Sequence, residues 1–308
     1  MRSENVPRDI VRFAKACTSN LLARFLAPLY VRVTRQTGRG SDEADAHEIA
    51  DYFIRSFNDY GARLGLAEGD FVASLRGKRV LEYGPGDILG VALLFHAHGA
   101  AQVHCVDRFP LEKVSTRNVE VYQALLERLP PAARERAARA FVIASDPTSG
   151  FKPECVEYRV TADGLARQDA AYDLIVSRAV LEHVNSLEGT LRDIERCLAP
   201  GGLSVHNVDL RSHNLDRDHP FDFLTWPDPV YRLMYSHKGF PNRWRPNAYR
   251  DILKNTSLDV VMMEPTGRLP STDVERIRDK LATPLRGASA DELSWLGFWM
   301  VLRREGAV

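Results

Sequence analysis

Val80-Leu81-Glu82-Tyr83-Gly84-Pro85-Gly86-Asp87-Ile88-Leu89-Gly90 is the stretch that decides how this chain is read. A short apolar run enters a glycine turn, and an apolar helical pattern, Ile88 to His98, follows. Glycines let a backbone come close to a ligand, and the start of a helix offers unpaired N–H groups to it. A dinucleotide loop would carry Gly-x-Gly-x-x-Gly, with its third glycine at position 89. That position is Leu89, and the third glycine is Gly90. Glu82 stands two residues before the first glycine. A carboxylate there repels a pyrophosphate and suits an ammonium group.

Working outward, short apolar runs alternate with helical patterns, as in a parallel sheet with crossover helices. The expected strands are Val80–Tyr83, Val103–Val106, Glu157–Val160, Leu174–Ser177, Leu203–Val208, Val260–Glu264 and Leu296–Leu302. A helical stripe of Leu187, Leu191, Ile194 and Leu198 is expected to stop at Pro200-Gly201-Gly202. The segment 108–156 reads as two helices flanking Pro130-Pro131. The fold class is therefore α/β, a doubly wound, mostly parallel seven-stranded sheet. Asp107 ends the second strand, where an acid can accept hydrogen bonds from ribose hydroxyls. Asp163 follows the third strand and can accept from an adenine amino group. Ligands of such sheets bind at the carboxyl edge that these residues share.

In this order the motifs resemble the class I S-adenosylmethionine-dependent methyltransferases, in particular the bacterial type-11-like group. The resemblance rests on Glu82-x-Gly84-x-Gly86, Asp107, Asp163-Gly164, Tyr172-Asp173-x-Ile175 with Leu181-Glu182-His183-Val184, and Leu198-x-Pro200-Gly201-Gly202. It covers residues 78–210 well and 245–303 loosely. It implies a Rossmann-like methyltransferase fold with S-adenosyl-L-methionine as cofactor. Gly84 and Gly86 would wrap the methionine portion, with Glu82 on its ammonium. Asp107 would take the ribose and Asp163 the adenine, while Ser177 and Arg178 would pass beneath the methionine end. The stretch His206-Asn207-Val208-Asp209-Leu210-Arg211-Ser212-His213, with Phe223 and Asn242-Arg243-Trp244-Arg245, is similar to methyltransferases of polysaccharide pathways. It implies a small-molecule or glycan acceptor, methylated on a hydroxyl oxygen.

A hydroxyl acceptor is helped by a general base, and histidine titrates in the useful range. His213 heads the candidates, with His183 and Asp209 beside it. His206 reads as a core residue and His219 as a solvated turn residue. Arg211, Arg243 and Arg245 are candidates for an anionic acceptor. Tyr52, Tyr60 and Trp244 can form apolar walls, the two tyrosines within N-terminal helix packing. Ubiquinone-type O-methyltransferases carry an acid three residues before the Glu of Glu-His and can use it for a metal. Here that residue is Ala179, so no metal is expected. The alternatives are a non-catalytic S-adenosylmethionine-binding scaffold and a nicotinamide-dependent oxidoreductase.

Lys+Arg and Asp+Glu both number 41, so nothing globally basic points to nucleic acid. Cys17, Cys105, Cys155 and Cys197 are scattered without a Cys-x-x-Cys pair, which speaks for free thiols in a reducing cytosol. The N-terminus lacks the features of a secretory signal, and the expected location is cytoplasmic. Domain limits are expected near residue 70: an N-terminal helical region at 1–70, then a cofactor-binding domain at 71–308. A substrate lobe is inserted at about 209–246, which is long, aromatic and polar. The helix at about Asp42 to Leu64 should begin near Ser41 and bury Ile49, Phe53, Phe57 and Tyr60. Residues 1–40 are locally basic and amphipathic, with 1–35 the candidate contact segment. They either pack on the domain or another copy, or contact a membrane surface.

Overall fold

The computed structural model describes residues 6–34, 45–213, 215–216, 218–238 and 243–306. Ser41, Asn242 and the start of the basic segment therefore lie outside the described residues. Seven strands build one sheet: β1 (Arg79–Tyr83), β2 (Gln102–Asp107), β3 (Val156–Val160), β4 (Tyr172–Arg178), β5 (Leu198–Asp209), β6 (Leu258–Arg268) and β7 (Trp295–Arg304). Their order is β3-β2-β1-β4-β5-β7-β6. β1 to β5 run parallel, and β7 runs antiparallel to both β5 and β6. All seven expected strands are present. The chain winds outward from β1 to β3 and then returns to β4, so the order reverses between β1 and β4. A ligand crevice opens at the carboxyl ends on either side of such a reversal.

The helices follow as α1 (Val6–Phe25), α2 (Ala27–Thr34), α3 (Ala46–Arg63), α4 (Glu68–Ser74), α5 (Gly90–Ala97), α6 (Thr116–Arg128), α7 (Pro131–Arg139), α8 (Leu187–Cys197), α9 (Asp228–Tyr235), α10 (Pro246–Leu253), α11 (Ser271–Arg278) and α12 (Ala290–Ser294). Asp45 caps α3, its carboxylate accepting from the His47 amide at 2.7 Å. Ile49, Phe53, Phe57 and Tyr60 are buried, as their spacing predicts. Helix α8 ends at Cys197, before Pro200. Pairing of Leu198 with Tyr172 draws the next residues into β5, and Gly201 turns there at φ +76°.

Two apolar layers sandwich the sheet. On one face Phe53, Phe57, Phe71, Phe95, Val121 and Leu125 pack over Val80 and Val103. On the other, Leu191, Ile194 and Tyr249 pack over Leu81, Ile175 and Met300. Helix α5 is buried on every side, which is why its sequence is apolar all round. A third core belongs to the lobe. Phe221, Phe223, Tyr231 and Met234 from the β5–β6 connection meet Val274, Ile277 and Leu281 from the β6–β7 connection. Ala16 of α1 joins this core, whereas α3 joins the sheet core. The lobe thus draws on residues 269–294 as well as on 210–245. Burying a side chain of this size contributes roughly 1.5–3 kcal/mol. No helix among the described residues is long and apolar enough to cross a membrane.

Candidate active site

Strand β1 ends in the glycine loop. Gly84 and Gly86 adopt φ +62° and +81°, which glycine reaches without strain. A Cβ at Gly84 would stand 2.5 Å from Val180 Cγ2, so the loop after β4 closes directly on the loop after β1. Gly90 is needed for a different reason. A Cβ there would lie 2.4 Å from the Phe53 ring, and its absence lets α3 pack on α5. Two side chains of α6 hold the loop from below. Asn118 Nδ2 donates to the Asp87 carbonyl at 2.9 Å and to the Lys113 carbonyl at 3.0 Å. The Leu89 amide donates to Tyr122 Oη at 2.9 Å. Neither Asn118 nor Tyr122 was legible in the sequence, since each only reads as part of a helix 30 residues downstream of the loop, by the separations of 31 and 33 positions.

Glu82 is buried beneath the loop. Burial pushes its carboxyl up to about 8, against the Cys105 thiol and the Ala92 amide, which favour the charge. The thiol donates to Glu82 Oε2 at 3.8 Å. At the end of β2, Asp107 Oδ1 accepts from the Arg108 amide at 2.6 Å and the Phe109 amide at 3.1 Å. Burial raises Asp107 to about 6, and those amides with that of Gly86 partly offset it. Asp163 lies in the loop after β3. It accepts from the Leu165 amide at 3.3 Å and pairs with Arg167. That loop is fixed from α8: Asp193 accepts from the Ala166 and Arg167 amides, at 2.7 and 3.0 Å, and from Tyr83 Oη at 2.6 Å. Glu82, Gly84, Gly86, Asp107 and the Asp163 loop therefore meet along one edge. A glycine turn with no room for a Cβ at Gly84, and buried acids on β1 and at the end of β2, fit a nucleoside bearing an ammonium.

Ser177 and Arg178 are already engaged. Ser177 Oγ pairs with His206 Nδ1 at 2.7 Å between β4 and β5. Burial drives His206 down to about 3, so it is a neutral core residue, as the sequence suggests. Arg178 Nη1 donates to Asp59 at 2.8 Å, and its guanidinium lies over Tyr52 and Trp299. This stack joins α3 to β4 and β7. Tyr52 and Tyr60 stay within that N-terminal helix packing, Tyr60 against Phe95 and Trp299.

Beyond β4 and β5, three expected residues come together. His213 Nε2 stands 3.4 Å from Asp209 Oδ2. The His183 and His213 rings lie 5.0 Å apart. Burial opposes charge on Asp209, but hydrogen bonds from His213 and Arg211 outweigh it and hold the carboxyl far below its usual range. His213 adopts φ +49°, an unfavourable conformation for a residue with a Cβ, and so is held in place by its surroundings. Arg211 does not project toward an acceptor. Its guanidinium and amide are both spent on Asp209. Glu182, adjoining His183, is fully buried, and burial lifts its carboxyl well above the usual range. Ligand atoms of Glu182, His183 and His213 fall within 4.8 Å of one another. Counting positions from Ala179 could not reveal this group, because His213 arrives from a different strand. His219 lies in a turn, and its amide contacts Asp222.

A cavity of about 310 Å³ opens between the loop after β4 and the lobe, lined by His183, Asn185, Tyr231, Arg243, Trp244 and Arg245 among others. Arg243 pairs with Asp228 at 2.5 Å and stacks over Tyr231 at 4.3 Å. Arg245 is fully buried over Phe221. Among the described residues its guanidinium donates to the carbonyls of Leu210, Leu293 and Trp295, at 3.2, 3.3 and 2.5 Å. Among the described residues no carboxylate neutralises it. Burial lowers it to about 9, so it remains a cation at neutral pH.

The chain belongs to the methyltransferase-domain family, whose model matches residues 51–262. It is an enzyme of the S-adenosylmethionine-dependent class, and S-adenosyl-L-methionine is its cofactor. Similar solved structures include an S-adenosylmethionine-dependent methyltransferase from Mesorhizobium loti, 15% identical, covering 76% of this chain and 95% of that one at a TM-score of 0.41. One from Methanosarcina mazei is 14% identical, covering 75% of this chain and 94% of that one at 0.43. Phosphoethanolamine N-methyltransferase 2 from Haemonchus contortus, in complex with S-adenosyl-L-methionine, is 19% identical, covering 75% of this chain and 49% of that one at 0.39. No curated protein matches the chain.

Proposed function

We propose that this enzyme methylates a hydroxyl oxygen of a small-molecule or glycan acceptor that carries an anionic group. The observation that carries the reading is Arg245, a buried cation of the cavity lining whose guanidinium meets three carbonyls and the Phe221 ring but, among the described residues, no carboxylate. A buried guanidinium without a counter-ion is costly, and a carboxylate or phosphate on the acceptor would supply one. Arg243 and Trp244 would orient the same group from beside it. When bound, S-adenosyl-L-methionine supplies an already activated methyl on a sulfonium, so the protein's task is alignment. Glu82 would hold the ammonium and Asp107 the ribose, with Asp163 toward the adenine. His213, held through Nε2 by Asp209, would take the hydroxyl proton on Nδ1 as the oxygen–methyl bond forms. His183, which lines the cavity, would help position the hydroxyl.

Transfer of labelled methyl from S-adenosyl-L-methionine into fractionated glycans, glycolipids and small acids tests this. We expect label in anionic fractions, bound to oxygen. Label confined to neutral fractions would remove the role of Arg245, and label on nitrogen or carbon would remove the hydroxyl acceptor.

A further inference from the structure

The N-terminal helices display an apolar face to solvent in addition to the one they bury. At about 100° per residue, Ile10, Ala14, Thr18, Leu21 and Phe25 fall within roughly 80° of arc along α1. Ile10, Leu21 and Phe25 are 62%, 55% and 68% exposed. Leu26, then Leu29 and Val33 on α2, continue the exposed apolar surface. The opposite face of α1 packs through the buried Ala16 and Ala23, with Phe13, Cys17 and Leu22 partly buried beside them, and through polar groups. Asn20 Nδ2 donates to the Leu233 carbonyl and Ser236 Oγ, at 3.0 and 3.1 Å, and Asn20 Oδ1 accepts from the His237 amide at 2.7 Å. Lys238 Nζ donates to the Ala16 carbonyl at 2.9 Å and to Ser19 Oγ at 2.6 Å. Arg12 reaches the Leu215 carbonyl at 2.9 Å. Helix α1 is thus anchored to the lobe with its apolar stripe outward. An ordinary surface helix turns a polar face to solvent, whereas α1 carries a second apolar face there.

We infer that α1 and α2 dock the enzyme on an anionic lipid bilayer, with α1 lying in the interfacial plane. Charge selects this occupant. Lys15, Arg24 and Arg32 are exposed along the stripe, and the only acid between residues 6 and 34 is Asp9. A second copy meeting this face about a two-fold axis would set these cations against their own kind. Anionic headgroups attract them, while Phe25 and Leu29 enter the acyl boundary. The Arg24 guanidinium already lies over the Phe25 ring at 5.0 Å, a cation and an aromatic placed together as at a headgroup boundary.

Co-sedimentation tests the inference, with the full chain on vesicles of phosphatidylcholine alone and on vesicles also containing phosphatidylglycerol. We expect binding to the second kind only, weakened by salt. The double substitution Leu21→Ser and Phe25→Ser should reduce it about tenfold or more. The pair Lys15→Glu and Arg24→Glu should do the same. Both variants alter exposed side chains outside the cofactor and acceptor residues, so their affinity for S-adenosyl-L-methionine, measured by calorimetry, should be unchanged. That readout separates a docking failure from misfolding or a failed acceptor assignment. Absence of binding to phosphatidylglycerol vesicles, or equal binding by the variants, would overturn the inference. So would a concentration-dependent dimer, lost in the serine variant, in a chain that ignores vesicles.

Discussion

His213 Nε2 lies 3.4 Å from Asp209 Oδ2, and the same carboxylate is gripped by the Arg211 guanidinium. A carboxylate fixed in this way selects the tautomer that leaves Nδ1 of His213 as the proton acceptor. His213→Ala should lower kcat by roughly 10²–10⁴-fold if proton removal accompanies transfer. Affinity for S-adenosyl-L-methionine should hold, because no cofactor residue touches this imidazole. Steady-state kinetics with titration calorimetry separate the two quantities. A variant with full kcat would pass the role to His183, and His183→Asn would then carry the loss.

In the proposed assignment Asp107 serves both the fold and the cofactor through one carboxylate. Oδ1 accepts two backbone amides, so Asp107→Ala would leave donors unsatisfied as well as remove ribose contacts. Asp107→Asn is the cleaner change, since its amide oxygen can still accept those amides. We expect the asparagine variant to fold and to lose roughly 1.5–3 kcal/mol of cofactor binding if the ribose bonds are charge-assisted. Unchanged affinity in calorimetry would take Asp107 out of the ribose site.

The sheet was legible because each strand is a short apolar run closed by a turn, and period and length are local properties. The placing of Glu82, Gly84, Gly86 and Asp107 at the carboxyl ends of β1 and β2 was legible for the same reason, since each lies in the last residues of a strand or within three residues of its end. What stayed hidden depends on contacts distant in sequence. Arg211 reads as a cation open to an acceptor until its bond to Asp209 is seen, and Ser177 reads as a strand-end residue open to the cofactor until His206 arrives from β5. The lobe's second half, Val274 to Leu285, has no marker of its own because its partners lie some fifty residues earlier, from Phe221 to Met234. Periodicity along α1 gave an amphipathic helix, but not which face would be turned outward.

Chelation should leave turnover unchanged. Glu182, His183 and His213 are close enough to share a cation, but the cluster offers only these three ligands among the described residues. With no cation beside it, burial favours the protonated form of Glu182, which must give up that proton to bind one. Asp209 is already neutralised by Arg211. Activity after dialysis against EDTA, compared with activity after adding back magnesium or manganese, is the measurement. A loss that either metal restores would make this group the metal site and displace His213 from the base role.

Glu82 should couple cofactor binding to pH. Its folded value of about 8 stands above the ordinary 4.5, so in that window the unfolded chain gives up a proton that the folded chain keeps. The stabilisation is complete below the ordinary value and is lost as pH rises through about 8. Melting temperature of the ligand-free protein should therefore fall across that window, less steeply in Glu82→Gln, which has no proton to lose. An ammonium placed against Glu82 favours the carboxylate. Binding S-adenosyl-L-methionine at neutral pH should then expel a proton, and affinity should rise with pH until Glu82 is ionised without help. Calorimetry in two buffers of different ionisation enthalpy measures that release directly. Glu82→Gln should abolish it and weaken binding. Release that persists in Glu82→Gln would assign the proton to Asp107, whose carboxyl is raised to about 6, and would leave the ammonium without the partner proposed for it.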